Sequence, residues 1–443
     1  MTAMIRTIRT TRSLFTRLAV GLLAGSAVSV ASGQSVVFEL LTPDAPDDLA
    51  PLAVSADGSV IAGNSLFAFS YETFRWTEAG GAELLGRATT SVLGVGAGTP
   101  DISNDGTKIS ATVLNDTSEF ATIGVWTLGE GWRTAEIPEN YPKDCAPLDN
   151  SLGSAWGLSG DGETVVGLYW RGGVMGGGSA HATAGPIDAL ADLGSLADNR
   201  SSRANAASDD GRVVGGWSER GDGLWQPIVW VDGVLTQLGD FEAFCAVDGV
   251  RADGLTVVGS GKDPASFTVG DAYRWDFDGE NWIPTILGTL PGTFQPFGLA
   301  TARSITADGS MIVGYNRFGV GNETGFVWTE QEGMRSIEDY LADNGISVPA
   351  DLLLLDVTAI SDDGSTMVGV AFDTTLGRYR GYRILISSPC PADLNADGVV
   401  NGADLATMLG AWGPAKGSPA DLNGDGAVNG ADLAILLGDW GDC

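Results

Sequence analysis

Short apolar stretches alternate with turn-forming residues along most of this chain. The clearest example is residues 305–314, where an Asp-Gly step separates two apolar runs. Such a step predicts a tight hairpin, because glycine takes positive φ without steric cost and the aspartate side chain can cap the turn. Seven steps of this kind occur between residues 54 and 370: Asp57-Gly58, Asp105-Gly106, Asp161-Gly162, Asp210-Gly211, Asp253-Gly254, Asp308-Gly309 and Asp363-Gly364. The chain is therefore predicted to be an array of repeated hairpins.

Each hairpin is followed by a similar order of further strands. Most run into a short apolar stretch closed by glycine, such as Val257-Val258-Gly259, then an aromatic strand and a Leu-Gly pair. The steps between hairpin aspartates run from 43 to 56 residues. A period near 50 with about four short strands per unit is typical of a β-propeller. We predict an all-β ring of about seven blades, with six or eight left open because the second unit has Ile109-Ser110-Ala111 at this place.

The two ends of the repeated region predict how the ring closes. The seventh unit has a strand at 382–386 but no terminal Leu-Gly strand. The apolar segment 36–41 has no Asp-Gly hairpin before it, so it is expected to complete the seventh blade. This arrangement would remove two free sheet edges, which are prone to aggregation.

The charge and the first residues of the chain indicate where the protein works. The 443 residues carry a formal net charge of −32, which disfavours binding to nucleic acid or anionic lipid. Residues 1–33 have a basic start, an apolar stretch at 18–24 and small residues before Gln34, as in a secretory signal peptide. No later apolar run is long enough to span a membrane. A secreted or cell-surface location is expected, where cysteines can oxidise.

The repeat pattern S-x-D-G-x-x-V-V-G, followed by aromatic-x-Trp and Leu-Gly, resembles the extracellular repeat family called HAF. The resemblance covers about residues 36–387, although no unit reads His-Ala-Phe and the nearest is Ala180-His181-Ala182. That family has no agreed activity, so the resemblance implies architecture and location. Tryptophans at equivalent positions are expected to pack the blades: Trp76, Trp126, Trp230, Trp275 and Trp328.

Candidate chemistry within the repeats is sparse. Trp170 and Trp217 follow the Val-Val-Gly strand and are candidates for stacking on a sugar ring. The single histidine, His181, would have to serve any Ser-His-Asp hydrolase, but its place at an aromatic position favours packing. The hairpin aspartates lack the further oxygens that calcium needs, so turn capping is expected. No catalytic residue is predicted, although a carboxylate pair among the 56 acidic residues stays open.

After residue 386 the composition changes to two acidic loops that are 28 residues apart. Each loop has oxygen-bearing side chains at positions 1, 3, 5, 9 and 12, glycine at position 6, and a backbone carbonyl at position 7, as calcium loops do. Each leads into a short apolar helix, at 405–409 and 433–437, ended by Gly410 and Gly438. The predicted ligands of two calcium ions are Asp393, Asn395, Asp397, Val399, Asn401 and Asp404 in the first loop and Asp421, Asn423, Asp425, Ala427, Asn429 and Asp432 in the second.

This duplicated loop and helix closely resembles a type I dockerin over about residues 391–443. The resemblance implies calcium binding and docking onto a cohesin-like partner. The cohesin-contact positions 10 and 11 fall on Gly402-Ala403 and Gly430-Ala431, where cellulosomal dockerins usually carry hydroxyl groups. The pseudo-twofold symmetry of the module implies that its ends are close. It therefore implies a Cys390–Cys443 disulfide, with Cys145–Cys245 as a weaker second pairing.

Together these observations predict three parts: a signal peptide at 1–33, a propeller at 34–387 and a dockerin-like domain at 388–443. The first hypothesis is a secreted, monomeric, non-catalytic binding or scaffold protein attached through its calcium-loaded tail. The alternative is an extracellular polysaccharide-degrading enzyme, a glycoside hydrolase or lyase, that carries a dockerin. The expected partners are a cohesin-like protein and carbohydrate, with no nucleic acid and no membrane span.

Overall fold

The computed structural model describes most of the ring and much of the C-terminal tail. The described residues are 35–42, 49–67, 70–86, 98–114, 121–136, 153–171, 179–294, 297–319, 321–387, 391–395, 399–414, 418–423 and 426–442. The predicted signal peptide and several predicted site residues lie outside them: Asp397, Asp425, Cys145, Cys390 and Cys443.

Seven four-stranded antiparallel sheets form the seven blades of a β-propeller, which confirms the predicted fold. The strands of blades 1 to 3 are β2 (Leu49–Val54), β3 (Val60–Phe67), β4 (Ser70–Thr77), β5 (Gly81–Leu84), β6 (Asp101–Ile102), β7 (Lys108–Leu114), β8 (Ala121–Thr127), β9 (Gly131–Thr134), β10 (Gly153–Leu158), β11 (Val165–Arg171), β12 (Ser179–Gly185) and β13 (Ala191–Gly194). Those of blades 4 to 6 are β14 (Ser202–Ala207), β15 (Val213–Glu219), β16 (Trp225–Val231), β17 (Val234–Gln237), β18 (Val247–Val250), β19 (Thr256–Gly261), β20 (Asp271–Phe277), β21 (Trp282–Gly288), β22 (Leu299–Ile305), β23 (Met311–Gly319), β24 (Asn322–Thr329) and β25 (Gly333–Ser336).

The seventh blade joins the two ends of the ring, as predicted. It consists of β26 (Leu352–Ile360), β27 (Thr366–Asp373), β28 (Arg378–Ser387) and the N-terminal strand β1 (Ser35–Leu40). The register pairs Ser35 with Ser387 and Leu40 with Tyr382. The outer edge of the last blade is thus paired by a strand from the other end of the repeated region.

The Asp-Gly steps form the turns between the first and second strand of each blade. The seven turn glycines have φ between 68° and 74°. In all seven turns the aspartate accepts a hydrogen bond from the backbone N–H two residues later, at 2.8–3.1 Å. In six turns it also accepts one from a Ser or Thr hydroxyl two residues earlier. The predicted role of these aspartates, turn capping, is confirmed.

The glycine that closes the Val-Val-Gly stretch allows close contact between the first two strands of a blade. A Cβ would lie 2.0–2.2 Å from a carbonyl oxygen of the first strand, or of Ala246 just before it, at positions 63, 167, 216, 259, 314 and 369. In blade 4 the position is the second glycine of Val213-Val214-Gly215-Gly216. Blade 2 has Ala111 at this place, and its first strand is only the two residues Asp101–Ile102. The degenerate second unit therefore still forms a blade, with a shortened inner strand.

Apolar side chains fill the spaces between neighbouring blades. Trp230 and Trp275 are fully buried there, and Trp76 and Trp126 are less than 9% exposed. Trp328 is half-buried against the core between blades 5 and 6. These side chains pack the blades, as expected from their repeated positions.

The tail contains two short helices, α2 (Gly402–Gly410) and α3 (Gly430–Gly438), whereas α1 (Ile337–Asp343) follows blade 6. The predicted starts at 405 and 433 were three residues late, because Asn401 and Asn429 cap helices that begin at the following glycine. Gly410 and Gly438 are the last helical residues rather than left-handed caps, since Ala411 and Asp439 follow with φ of −98° and −96°. None of the described helices is long and apolar enough to cross a membrane.

The tail is built with internal symmetry. The loop strand β29 (Val399–Val400) pairs with β32 (Gly441–Asp442), and β31 (Ala427–Val428) pairs with β30 (Gly413–Pro414). Each loop therefore pairs with the segment that follows the helix of the other repeat. Side chains that are 28 residues apart share one core, as Val400 with Val428 and Met408 with Leu436.

Candidate functional site

The two acidic loops of the tail have matching hydrogen-bond networks. Asn401 Oδ1 accepts the N–H of Ala403 at 2.8 Å, and Asn429 Oδ1 accepts that of Ala431 at 2.9 Å. The Nδ2 groups of the same asparagines donate to the carbonyls of Val399 and Ala427. This repetition at a fixed offset shows that the loops share one design.

The aspartate at position 12 holds each loop against its helix. Asp404 Oδ2 accepts the N–H of Asn401, and its Oδ1 accepts those of Leu394 and Asn395. These backbone donors hold the pKa of Asp404 below its usual range. For Asp432 burial acts to raise the pKa, but the N–H groups of Asn429 and Asn423 lower it further than burial raises it. Both carboxylates are therefore kept ionised, which suits binding of a cation.

The residues of these loops fit a calcium ion by the chemistry of their donors. Hard oxygen ligands at these positions are what calcium prefers. The Gly426 N–H donates to Asp421 Oδ2 at 2.8 Å, so the sharp turn at position 6 wraps the chain around the first ligand. Each loop contributes two carboxylates to the described residues, and among those residues no group of three or more His, Cys, Asp or Glu side chains is placed to hold a metal ion.

The ring has a cavity of about 230 Å³ on its axis, which was not predicted. A one-residue register shift interrupts the inner strand in six blades. Such bulges re-aim side chains and are common next to functional sites. In each of these blades one skipped residue lines the cavity, and these residues are Leu52, Trp156, Asn205, Asp248, Arg303 and Thr358. Blade 7 has a second shift, which skips Leu355, and that residue does not line the cavity.

The sequence contains a signal for these positions. Each stands two residues before an apolar residue and three before the Ser, Thr or Arg that begins the Asp-Gly turn, and all six differ in residue type. Where the residue type varies within an otherwise regular repeat, that position is not constrained by the packing that determines the residue types of its neighbours. Variation inside the repeat, rather than the repeated residues, therefore marks the lining of the axial cavity.

Several charged groups lie deep in the ring around this cavity. Arg303 Nε is 2.9 Å from Asp356 Oδ2, and Asn205 Nδ2 is 3.1 Å from Asp248 Oδ1. Burial raises the pKa of Asp248 and Asp356, while Arg303 beside both of them lowers it. Asp101 accepts the N–H groups of Ile102 and Leu158, and burial raises its pKa to about 6.

The tryptophans proposed for sugar stacking lie inside strands rather than in loops. Trp217 is only 5% exposed, and its ring stacks on Trp225 at 4.1 Å between centroids. Trp170 is half-buried in β11. Trp217 therefore offers no open face of the kind that a sugar platform needs.

His181 stands in a hydrogen-bonded line with two other polar side chains. Its Nε2 is 3.1 Å from Ser179 Oγ, and its Nδ1 is 3.2 Å from Asp192 Oδ1. The side chain is 18% exposed, so packing alone does not account for its place. This is the order of partners in a Ser-His-Asp triad, although Ser179 and His181 are two residues apart on one strand.

Cys245 is a free and fully buried thiol, so the weaker predicted pairing, Cys145–Cys245, is not formed. Burial raises the pKa of Cys245 to about 12. A thiol that stays protonated is inert, and this residue acts as a small apolar core side chain.

Comparison with known proteins gives separate matches for the tail and for the ring. Residues 391–437 match the family described as the dockerin type I domain. Type I dockerin domains characteristically bind calcium and attach to cohesins. No curated protein matches the chain.

Solved structures show the same fold as the ring. An oligogalacturonate lyase from Vibrio parahaemolyticus is similar with a TM-score of 0.51 and 11% identity, over 79% of this chain and 97% of that one. The β-propeller domain of the trilobed protease from Pyrococcus furiosus has a TM-score of 0.48 and 12% identity, over 76% and 95%. At 11% identity, the likeness to the lyase shows the fold alone. The chain thus carries a seven-bladed β-propeller followed by a C-terminal dockerin type I domain.

Proposed function

We propose that this is a secreted, non-catalytic binding or scaffold protein that is attached to a cohesin-type partner through its tail. In this proposal the chain has a signal peptide at 1–33, a propeller of HAF-type repeats at 34–387 and a dockerin domain at 388–443 that binds two calcium ions. The ring presents a surface outside the cell, and the tail fixes its place in an assembly.

The observation that carries the proposal is the pair of matching loops in the tail. The same hydrogen bonds recur 28 residues apart around Asn401 and Asn429, and both loops end in a carboxylate held by backbone donors. A module with two equivalent loops suits one calcium ion per loop. The proposal includes a Cys390–Cys443 disulfide, and the pairing of Val399 with Asp442 places the last described residue beside the first loop.

The test is binding of the full-length mature protein to an immobilised type I cohesin, with calcium and with chelator. We expect a complex that forms only with calcium and is lost in the double variant Asp404→Ala with Asp432→Ala. Calcium binding without any cohesin complex would contradict the attachment role while leaving the metal sites in place. The small residues at 402–403 and 430–431 make this outcome informative.

A second candidate function, ester hydrolysis, is favoured by one observation, the Ser179–His181–Asp192 line. The adjacent N–H of Ala180 already donates to Ser201 Oγ at 3.2 Å, so it is not free to stabilise an oxyanion. Labelling with a fluorophosphonate probe tests this function. Labelling that Ser179→Ala abolishes would establish a nucleophile, and equal labelling of both proteins would exclude it.

A further inference from the structure

The axial cavity differs from the rest of the ring because its lining is polar and irregular. Seven equivalent units contribute a different side chain each, among them Trp156, Asn205, Asp248 and Arg303 on one side and Leu52 on the other. A cavity kept only for blade packing would be filled by similar apolar residues, as the spaces between the blades are. The bulges direct these different side chains into the same cavity.

Of the two arginines that line the cavity, Arg203 and Arg303, Arg203 is the one whose charge is less compensated. Its guanidinium carbon lies 3.5 Å from the centre of the Trp156 ring, and its Nε donates to Asn205 Oδ1 at 2.6 Å. No carboxylate of the described residues forms an ion pair with it, whereas Arg303 is paired with Asp356. Burial, opposed by the nearby Asp248 and helped by the nearby Arg303, lowers the pKa of Arg203 to about 10. Buried charges are normally paired, so this cation is short of an anion.

The other polar groups that line the cavity suit a ligand with hydroxyl groups. Asp248 has acceptor oxygens beyond the one bonded to Asn205, and Thr358 and Arg303 also line the space. Leu52 and Pro100 supply an apolar wall opposite. A volume of about 230 Å³ lies below the range of drug-sized pockets, so it suits a small molecule.

We propose that the axial cavity binds a small carboxylate that carries hydroxyl groups, of the sugar-acid class, with its carboxylate on Arg203 and its hydroxyl groups on Asp248 and Asn205. This inference goes beyond the proposed function, because attachment through the tail needs no ligand in the ring. The proposal for the cavity and the proposal for attachment through the tail can therefore be disproved independently of each other.

The test is calorimetric titration of the full-length mature protein with sodium glucuronate, with glucose as the neutral ligand of the same ring size and acetate as the carboxylate without hydroxyl groups. We expect glucuronate to bind at least tenfold more tightly than either. Arg203→Gln should weaken binding at least tenfold. The matched control Arg212→Gln removes an exposed arginine of the same blade, paired with Asp232, and should leave the affinity within twofold.

A second variant separates loss of the ligand site from loss of the fold. Leu52→Trp fills the cavity from the opposite wall while Arg203 stays in the sequence, and it should abolish binding in a protein that keeps its thermal transition. Absence of glucuronate binding to the wild type, equal affinity for glucose, or unchanged affinity in Arg203→Gln or Leu52→Trp would each overturn the proposal.

Discussion

The sequences of the ring and the tail both contain Asp-Gly steps, but the described aspartates of the two regions have different surroundings. In the ring, Asp308 receives the Thr306 hydroxyl at 2.6 Å and the Ser310 N–H at 2.9 Å, both from its own turn. In the tail, Asp404 and Asp432 each accept the N–H of the asparagine that caps their helix, and the sequence of each loop carries four other oxygen-bearing side chains. The turn aspartate of the ring is bonded within its own turn, whereas the aspartate at position 12 of the tail belongs to a loop whose sequence carries three aspartates and two asparagines.

The difference teaches that an aspartate in a turn indicates a metal only when other oxygen ligands accompany it at fixed spacing. A single aspartate that recurs in each repeat and accepts hydrogen bonds from neighbouring residues indicates a structural role. The ring should therefore be indifferent to calcium, and the tail should depend on it.

The largest expected effect is the loss of one calcium ion from the tail. Asp432→Ala removes the last ligand of the second loop and the capping box of α3, so calorimetry should find one bound ion instead of two. Asp404→Ala should do the same in the first loop, and Asp308→Ala in the ring should leave two. Two ions bound to Asp432→Ala would show that position 12 is not a ligand.

The next effect concerns the close approach of the first two strands in a blade. In Gly314→Ala the new Cβ would lie 2.1 Å from the Thr301 carbonyl oxygen, which forces the backbone to move. We expect a loss of about 3 kcal/mol or more in the free energy of unfolding, measured by denaturant titration followed through tryptophan fluorescence. The matched control is Gly319→Ala in the same strand, where no atom lies within 4 Å, and it should change stability by less than about 1 kcal/mol.

A smaller effect is expected from the turn aspartates themselves. Asp308→Ala removes hydrogen bonds from a largely exposed turn and should destabilise the ring by about 1 kcal/mol. Asp308→Asn keeps an acceptor for the Ser310 N–H and should recover part of the loss in the same denaturant titration. Equal stability of the wild type and Asp308→Ala would show that the cap contributes nothing.

The smallest expected effect is a pH dependence of the folding stability. It comes from Asp362, which lines the axial cavity next to an Asp-Gly turn. Burial, with repulsion from Asp209 and Asp363, raises the pKa of Asp362 to about 6 from 3.8. The folded protein then holds the proton more tightly than the unfolded chain, so this contribution to stability is present below pH 4 and is lost as the pH rises to 6. Asp362→Asn should flatten that slope and stabilise the ring at pH 7 by about 1 kcal/mol or less, since water screens the site.

Denaturant titrations at pH 4, 5, 6 and 7 measure this slope. Asp210→Asn serves as the control, because hydrogen bonds from Arg212 and Ser208 lower the pKa of Asp210 and place its titration below that window. The same slope in the wild type and in Asp362→Asn would contradict the assignment.

Much of this fold could be predicted because its main features depend on short sequence patterns that recur in every repeat. The seven Asp-Gly turns, the closing strand near residue 36 and the capping role of the aspartates each depend on a few neighbouring residues. The helix starts were missed because capping by Asn401 and Asn429 extends each helix by a turn. The bulges at positions such as Trp156 and Arg303 arise from pairing between strands, and their only signal in the sequence is a variable position that appears when the repeats are compared with one another.

Hydrogen–deuterium exchange of the full-length protein, with calcium and with excess chelator, tests the contrast between the two regions most directly. The account predicts that peptides within 399–442 lose their protection in chelator while those covering β15 and β16 keep theirs. Unchanged protection of α2 and α3 in chelator, or equal loss of protection in the ring, would contradict it.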